Sequence, residues 1–154
     1  MEAWLAGAAA WLDAAGVRAW AGGDRYAWVN TLHLLGLVML VGGIGVVDLR
    51  LAGAWPRLPA AALSRALTPV ALAGLALMAA TGVLLFAADG RTLAGSDIFR
   101  VKLVLIGVAL ANAALFRLLW RDRDDPPVAA RLMAAGSLLL WLAVGACGRM
   151  IAYS

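Results

Sequence analysis

Four stretches that are almost free of charge decide what this chain can become. Tyr26 to Val47 and Ala66 to Ala88 carry no charged residue, while Leu103 to Phe116 lies between Lys102 and Arg117, and Leu132 to Gly148 between Arg131 and Arg149. A bilayer core takes about 20 helical residues to cross. The first two runs reach that length unaided; the last two reach it when their flanking cations snorkel to the interface or point into the protein. A water-soluble domain averages about 45–50% apolar and about 25% charged residues. This chain of 154 residues is 64% hydrophobic and 14% charged, which leaves too few polar residues to cover a soluble surface. The expected fold is all-α: a four-transmembrane-helix bundle over residues 24–154, with spans at about 27–48, 67–88, 100–120 and 131–151.

Residues 1–23 follow another pattern. Trp4, Leu5, Ala8, Trp11, Leu12 and Ala15 recur at helical spacing, and Glu2, Asp13 and Arg18 interrupt the remainder. This reads as an N-terminal amphipathic interfacial helix, with tryptophans at headgroup level. Its Met-Glu start lacks the positive charge of a signal peptide, so the segment is expected to be retained. Gly22-Gly23-Asp24 then turns the chain into the first span. Trp55, Pro56 and Pro59 mark a turn within Arg50–Arg65, and Asp124-Asp125-Pro126-Pro127 marks another within Arg121–Arg131.

The single cysteine, Cys147, excludes an internal disulfide. A net charge of +4 would suggest nucleic acid in a soluble protein. Here the arginines flank apolar runs, so the bilayer and its anionic headgroups are the expected partners, and nucleic acid is not. Six basic residues fall on the side of the termini and seven on the other. The loop Arg50–Arg65 is purely basic, which places it in the cytoplasm and the termini in the periplasm.

A few polar groups are left inside the spans. Counting about 1.5 Å per residue puts Asn30, His33, Thr81, Lys102, Arg149 and Tyr153 in one leaflet, near the terminal side. His33 is the only histidine. An ionisable group within a span is costly, and its default reading is ligand binding or proton handling; the plainer alternative is a hydrogen bond between helices. Gly36, on the same helical face, lets either a neighbouring helix or a flat macrocycle approach, and Asn30 is placed to hold the second ring nitrogen. Lys102 is the only lysine. Unlike arginine, it can lose its proton when desolvated and then ligate a metal; otherwise it is a snorkelling cation. Asn112 reads as interhelical glue. Met39, Met78, Met133 and Met150 are soft ligands for haem iron or Cu(I), or simply packing. Asp48 cannot pair with Arg50 two residues on, and is expected to reach Arg117 or Arg121. The chain has no phosphate loop, no histidines at i, i+4 spacing and no zinc spacing. One histidine also excludes an in-chain bis-histidine haem, so a second would come from another subunit of a homo-oligomer.

The segments TLHLLGLVMLVGGIGVVDLRLAG, TGVLLFAADG, FRVKLVLIGVALANAALF and GRMIAYS resemble an uncharacterised bacterial family of four-helix membrane proteins, over nearly all of the chain from Trp28 to Tyr153. That resemblance implies the bacterial inner membrane and brings no activity with it. More loosely, the layout is similar to the bacterial membrane-bound, haem-dependent protoporphyrinogen oxidases. These place one histidine in the first span and one lysine at the start of a later one, both implicated in haem b ligation; His33 and Lys102 match that plan. The aromatic and arginine residues that follow the histidine in that family, and the tryptophan before its lysine, are missing here. His33, Gly36, Gly42 and Gly43 also resemble the first span of the copper-resistance D family.

The leading expectation is a membrane haem b protein with an electron-transfer or redox role. His33 would be the axial ligand, Lys102 or a symmetry-related His33 the second, and Arg100 and Arg149 would lie near the propionates with Asn30, Gly36 and Tyr153 around the site. A quinone or porphyrin substrate would suit such a protein; whether it is an enzyme stays open. The alternatives are a copper-handling permease and a non-catalytic membrane scaffold or oligomer subunit.

Overall fold

The computed structural model describes residues 1–120 and 127–153, and these contain six helices. They are α1 (Glu2–Ala14), α2 (Val17–Ala21), α3 (Asp24–Ala52), α4 (Ala60–Gly95), α5 (Asp97–Trp120) and α6 (Val128–Ile151). The last four are each long and apolar enough to cross a membrane, as expected for a multi-pass membrane protein. Their outer faces agree: Leu118 is 82% exposed and Leu132 is 69% exposed, and surfaces of that kind suit lipid rather than water. The turn expected within Arg121–Arg131 lies mostly outside the described residues.

Two boundaries differ from expectation. The N-terminal segment is two helices rather than one, because Gly16 adopts a left-handed conformation (φ 76°) that a residue with a Cβ rarely takes. Its buried face is also different. Leu5, Ala9 and Leu12 turn inward while Trp4 and Trp11 stay exposed, and Ala9 sits over Gly90 of α4. Asp13 ties this layer down through Arg18 and Arg91, both at 3.3 Å. The second difference is the length of α4, which has 36 residues. It passes through Pro69, and it bends at Asp89 (φ −119°, ψ 21°) before running on to Gly95. At 1.5 Å per residue it is about 54 Å long, well beyond a bilayer core of about 30 Å, so its ends project from the apolar layer.

The helices lie in the order α4, α3, α6, α5, with α3 against both α4 and α6. Small residues set the α3–α4 seam. A Cβ added at Gly74 would lie 2.6 Å from the Gly36 carbonyl oxygen, and one at Gly43 would lie 3.0 Å from that of Leu67. Such backbone proximity is how helices associate in lipid, where apolar surface alone gives no driving force. Leu40, Ala71, Ala109, Trp141 and Val144 form the buried centre of the bundle. The α5 helix leans on α6, where the Asn112 side-chain amide donates to the Met133 carbonyl at 3.1 Å, the glue role expected of it. It barely meets α4; the Phe86 and Phe99 rings, stacked with centroids 5.5 Å apart, bridge the two.

Candidate functional site

His33 occupies α3 one turn before Gly36, where the close α3–α4 approach begins. The side chain is half-buried and crosses to α4, where its Nδ1 lies 2.8 Å from Thr81 Oγ1. Its ring rests beside Gly82: a Cβ there would stand 3.4 Å from His33 Cε1. Thr81 is buried, and its hydroxyl also lies 2.6 Å from the Leu77 carbonyl oxygen, one turn back on α4. That second contact decides the first. A hydroxyl has one proton, and a carbonyl can only accept. With its hydrogen on the Leu77 carbonyl, Thr81 accepts from the ring, and in that arrangement the ring hydrogen sits on Nδ1. Nε2 then keeps its lone pair, and the ring also lies within reach of the Met78 backbone.

Lys102 approaches from α5. It is half-buried, with Nζ lodged where α6 has a glycine: a Cβ on Gly148 would be 3.2 Å away. The amine is within electrostatic range of His33 and of Cys147. No carboxylate pairs with it among the described residues. The imidazole thus lies against α4 and the amine against α6.

The remaining expected site residues divide. Asn30 is exposed and does not hold the imidazole; Thr81 of the neighbouring helix does. The reason is geometric: the ring leans across to α4, away from a residue one turn back on its own helix. Of the two occupants open at Gly36, the one present is α4, with Met78 Cγ 2.8 Å from a Cβ built there. Arg100 is held at the surface by Glu2 (3.1 Å) and Asp97. Arg149 and Tyr153 are exposed and hold each other, the guanidinium 4.4 Å from the ring centroid and bonded to the hydroxyl. These three stand at the same end of the bundle as His33, outside its immediate contacts. Thr81, Gly82 and Gly148 are the contacts a sequence reading underweights. The first two share a small-residue face with Gly74 and Met78, the one available signal. The expected pairing of Asp48 with Arg117 is not formed: Asp48 is buried beside Ser137 of α6, and Arg121 lies outside the described residues.

No curated protein and no solved structure matches the chain, so the likeness to the haem-dependent oxidases and to the copper-resistance D family rests on the few residues named above. A family model does match, over residues 10–154, which is nearly the whole chain: the protein belongs to DUF6644, a family of unknown function.

Proposed function

We propose that this is a membrane haem b-binding protein with an electron-transfer or redox role, and that His33 Nε2 is its axial ligand. The observation that carries the reading is the chain from His33 Nδ1 through Thr81 to the Leu77 carbonyl. A ligating histidine needs its other ring nitrogen hydrogen-bonded, so that tautomer and orientation are fixed before the metal arrives. Thr81 does this, and the donor left over is a neutral imidazole nitrogen of the kind haem iron takes. Lys102, which pairs with no carboxylate among the described residues, is one candidate second donor; a symmetry-related His33 in a homo-oligomer is the other. Bound haem would supply one-electron chemistry. The chain's own part is to orient the imidazole, present the amine, and exclude water with the Gly82 and Gly148 walls. Arg100 and Arg149 would serve propionates only by leaving their present partners. Leu37, one turn deeper than His33, opens an apolar groove with Val41, Gly42, Trp141 and Gly145, which suits a quinone or porphyrin. The reading includes the bacterial inner membrane with periplasmic termini, which alkaline phosphatase fusions at either end would check.

The experiment is an absorption spectrum of protein purified from haem-replete cells. A Soret band is expected, lost in His33→Ala and altered in Lys102→Ala. A colourless, folded protein would contradict the reading and favour a scaffold. That second reading draws on the same observation, because His33–Thr81 also joins α3 to α4. In that case His33→Ala changes helix association and nothing spectroscopic. Copper draws less support: Met78 is packed against Gly36, and Met133 and Met150 lie toward opposite ends of α6.

A further inference from the structure

At the other end of α3, about 22 Å from His33 along the helix, a second ionisable group stands where the span ends. Asp48 lies one turn before the end of α3 at Ala52 and is 6% exposed. Its Oδ2 is buried with no hydrogen-bond partner among the described residues. The polar neighbour is Ser137 of α6, itself buried. Among the described residues no basic group pairs with this carboxylate. Arg50, on the same helix, is held by the carbonyls of Pro56 and Leu58. On α4, Ser64 and Thr68 bond each other, and Arg65 makes no ion pair with Asp48. Nor does Arg117 of α5 or Arg131 of α6.

An ionised carboxylate offers about four acceptor sites, and bare ones in a water-free interior are strongly unfavourable. A carboxylic acid satisfies the same space with one proton. A metal cation fits less well, since one carboxylate and one hydroxyl cannot replace a shell of six or so oxygens; among the described residues no group of three His, Cys, Asp or Glu side chains is placed to hold one. We propose that Asp48 is a proton-binding site in the α3–α6 seam, with the proton on Oδ2 and exchange toward the face where α3 ends. Nothing in this depends on what His33 binds. Losing the proton would draw water into a seam where Gly45 meets Leu138, so occupancy of the site sets how tightly α3 and α6 close.

The test is labelling of the full chain in nanodiscs with the apolar reagent dicyclohexylcarbodiimide, at a pH where surface carboxylates are ionised. The acid's proton moves to a carbodiimide nitrogen as its oxygen bonds the central carbon, and rearrangement leaves a stable N-acylurea with no atom lost. One adduct is expected, mapped to Asp48 by mass spectrometry, absent in Asp48→Asn and indifferent to sodium. No adduct at Asp48 would overturn the proposal, and suppression by sodium at constant pH would overturn it in favour of a cation site. A measurement on the unmutated chain guards against a variant that does not fold. With aspartate carboxyls isotopically labelled, infrared spectroscopy should show a protonated carboxyl band that shifts in D2O, and its absence would count equally against the proposal.

Discussion

The two flanks of α3 are built on different terms. Toward α4 the approach is backbone to backbone, glycine on glycine, with His33 and Thr81 answering each other across it. Toward α6 the contact is made by side chains, with Leu37 at Gly145 and Leu138 at Gly45, and it carries both an apolar groove and a carboxyl with one oxygen unanswered among the described residues. The first flank fixes the position of a ring. The second has slack in its packing and a proton to gain or lose. In lipid, where apolar burial does not distinguish one face from another, such contacts decide which face meets protein and which can change.

The largest expected effect comes from disturbing the tight flank. Gly74→Val places a side chain against the Gly36 carbonyl and the Leu40 amide nitrogen, both under 3 Å even for a bare Cβ. Over-packing of this kind costs about 1–3 kcal/mol and more where backbone must move. Thermal unfolding in detergent should show it, while Gly107→Ala, where a Cβ meets nothing within 4 Å and alanine is the better helix former, does not lower the midpoint. Equal tolerance of the two substitutions would erase the contrast between the flanks.

Thr81→Val is next. It keeps the shape but removes the acceptor for His33 Nδ1, and intramembrane hydrogen bonds average about 0.6 kcal/mol, with a ceiling near 1.7. The stability loss should be small and the change at the ring large, because nothing then selects the tautomer. Asn112→Leu on the α5–α6 side should cost about 0.6 kcal/mol by the same measure, with no effect on the ring. The smallest effect belongs to Arg91→Ala. Its ion pair with Asp13 is mostly exposed, and such pairs contribute about 0–1 kcal/mol at low salt. Hydrogen exchange should rise in α1 alone.

The spans were legible because charge stops at their ends, and the depth of His33 against Lys102 followed from helical rise. Other features resisted reading for physical reasons. Trp4 and Leu5 are equally apolar, and only packing against α4 tells that Leu5 is inside. The charge-free run stops at Ala88, yet beyond the bend at Asp89 the chain stays helical to Gly95, with Gly90 packed against Ala9 of α1. Thr81 was one polar group among several at its depth; a threonine in a span usually bonds its own helix, as this one does to Leu77, and its second bond depends on how α3 crosses. Asp48 invited an arginine partner, since charge pairing is the common solution, and the α6 serine beside it gives no sequence signal.

Because the chain has one histidine, its tautomer is directly measurable. Selective ring 15N labelling gives a single imidazole, and solid-state or solution NMR in lipid reads its two nitrogens separately. A protonated Nδ1 and a lone-pair Nε2 are expected in the haem-free protein, with Nε2 responding when haem b is added and Nδ1 keeping its hydrogen. A hydrogen on Nε2, or an Nε2 resonance indifferent to haem, would contradict that expectation.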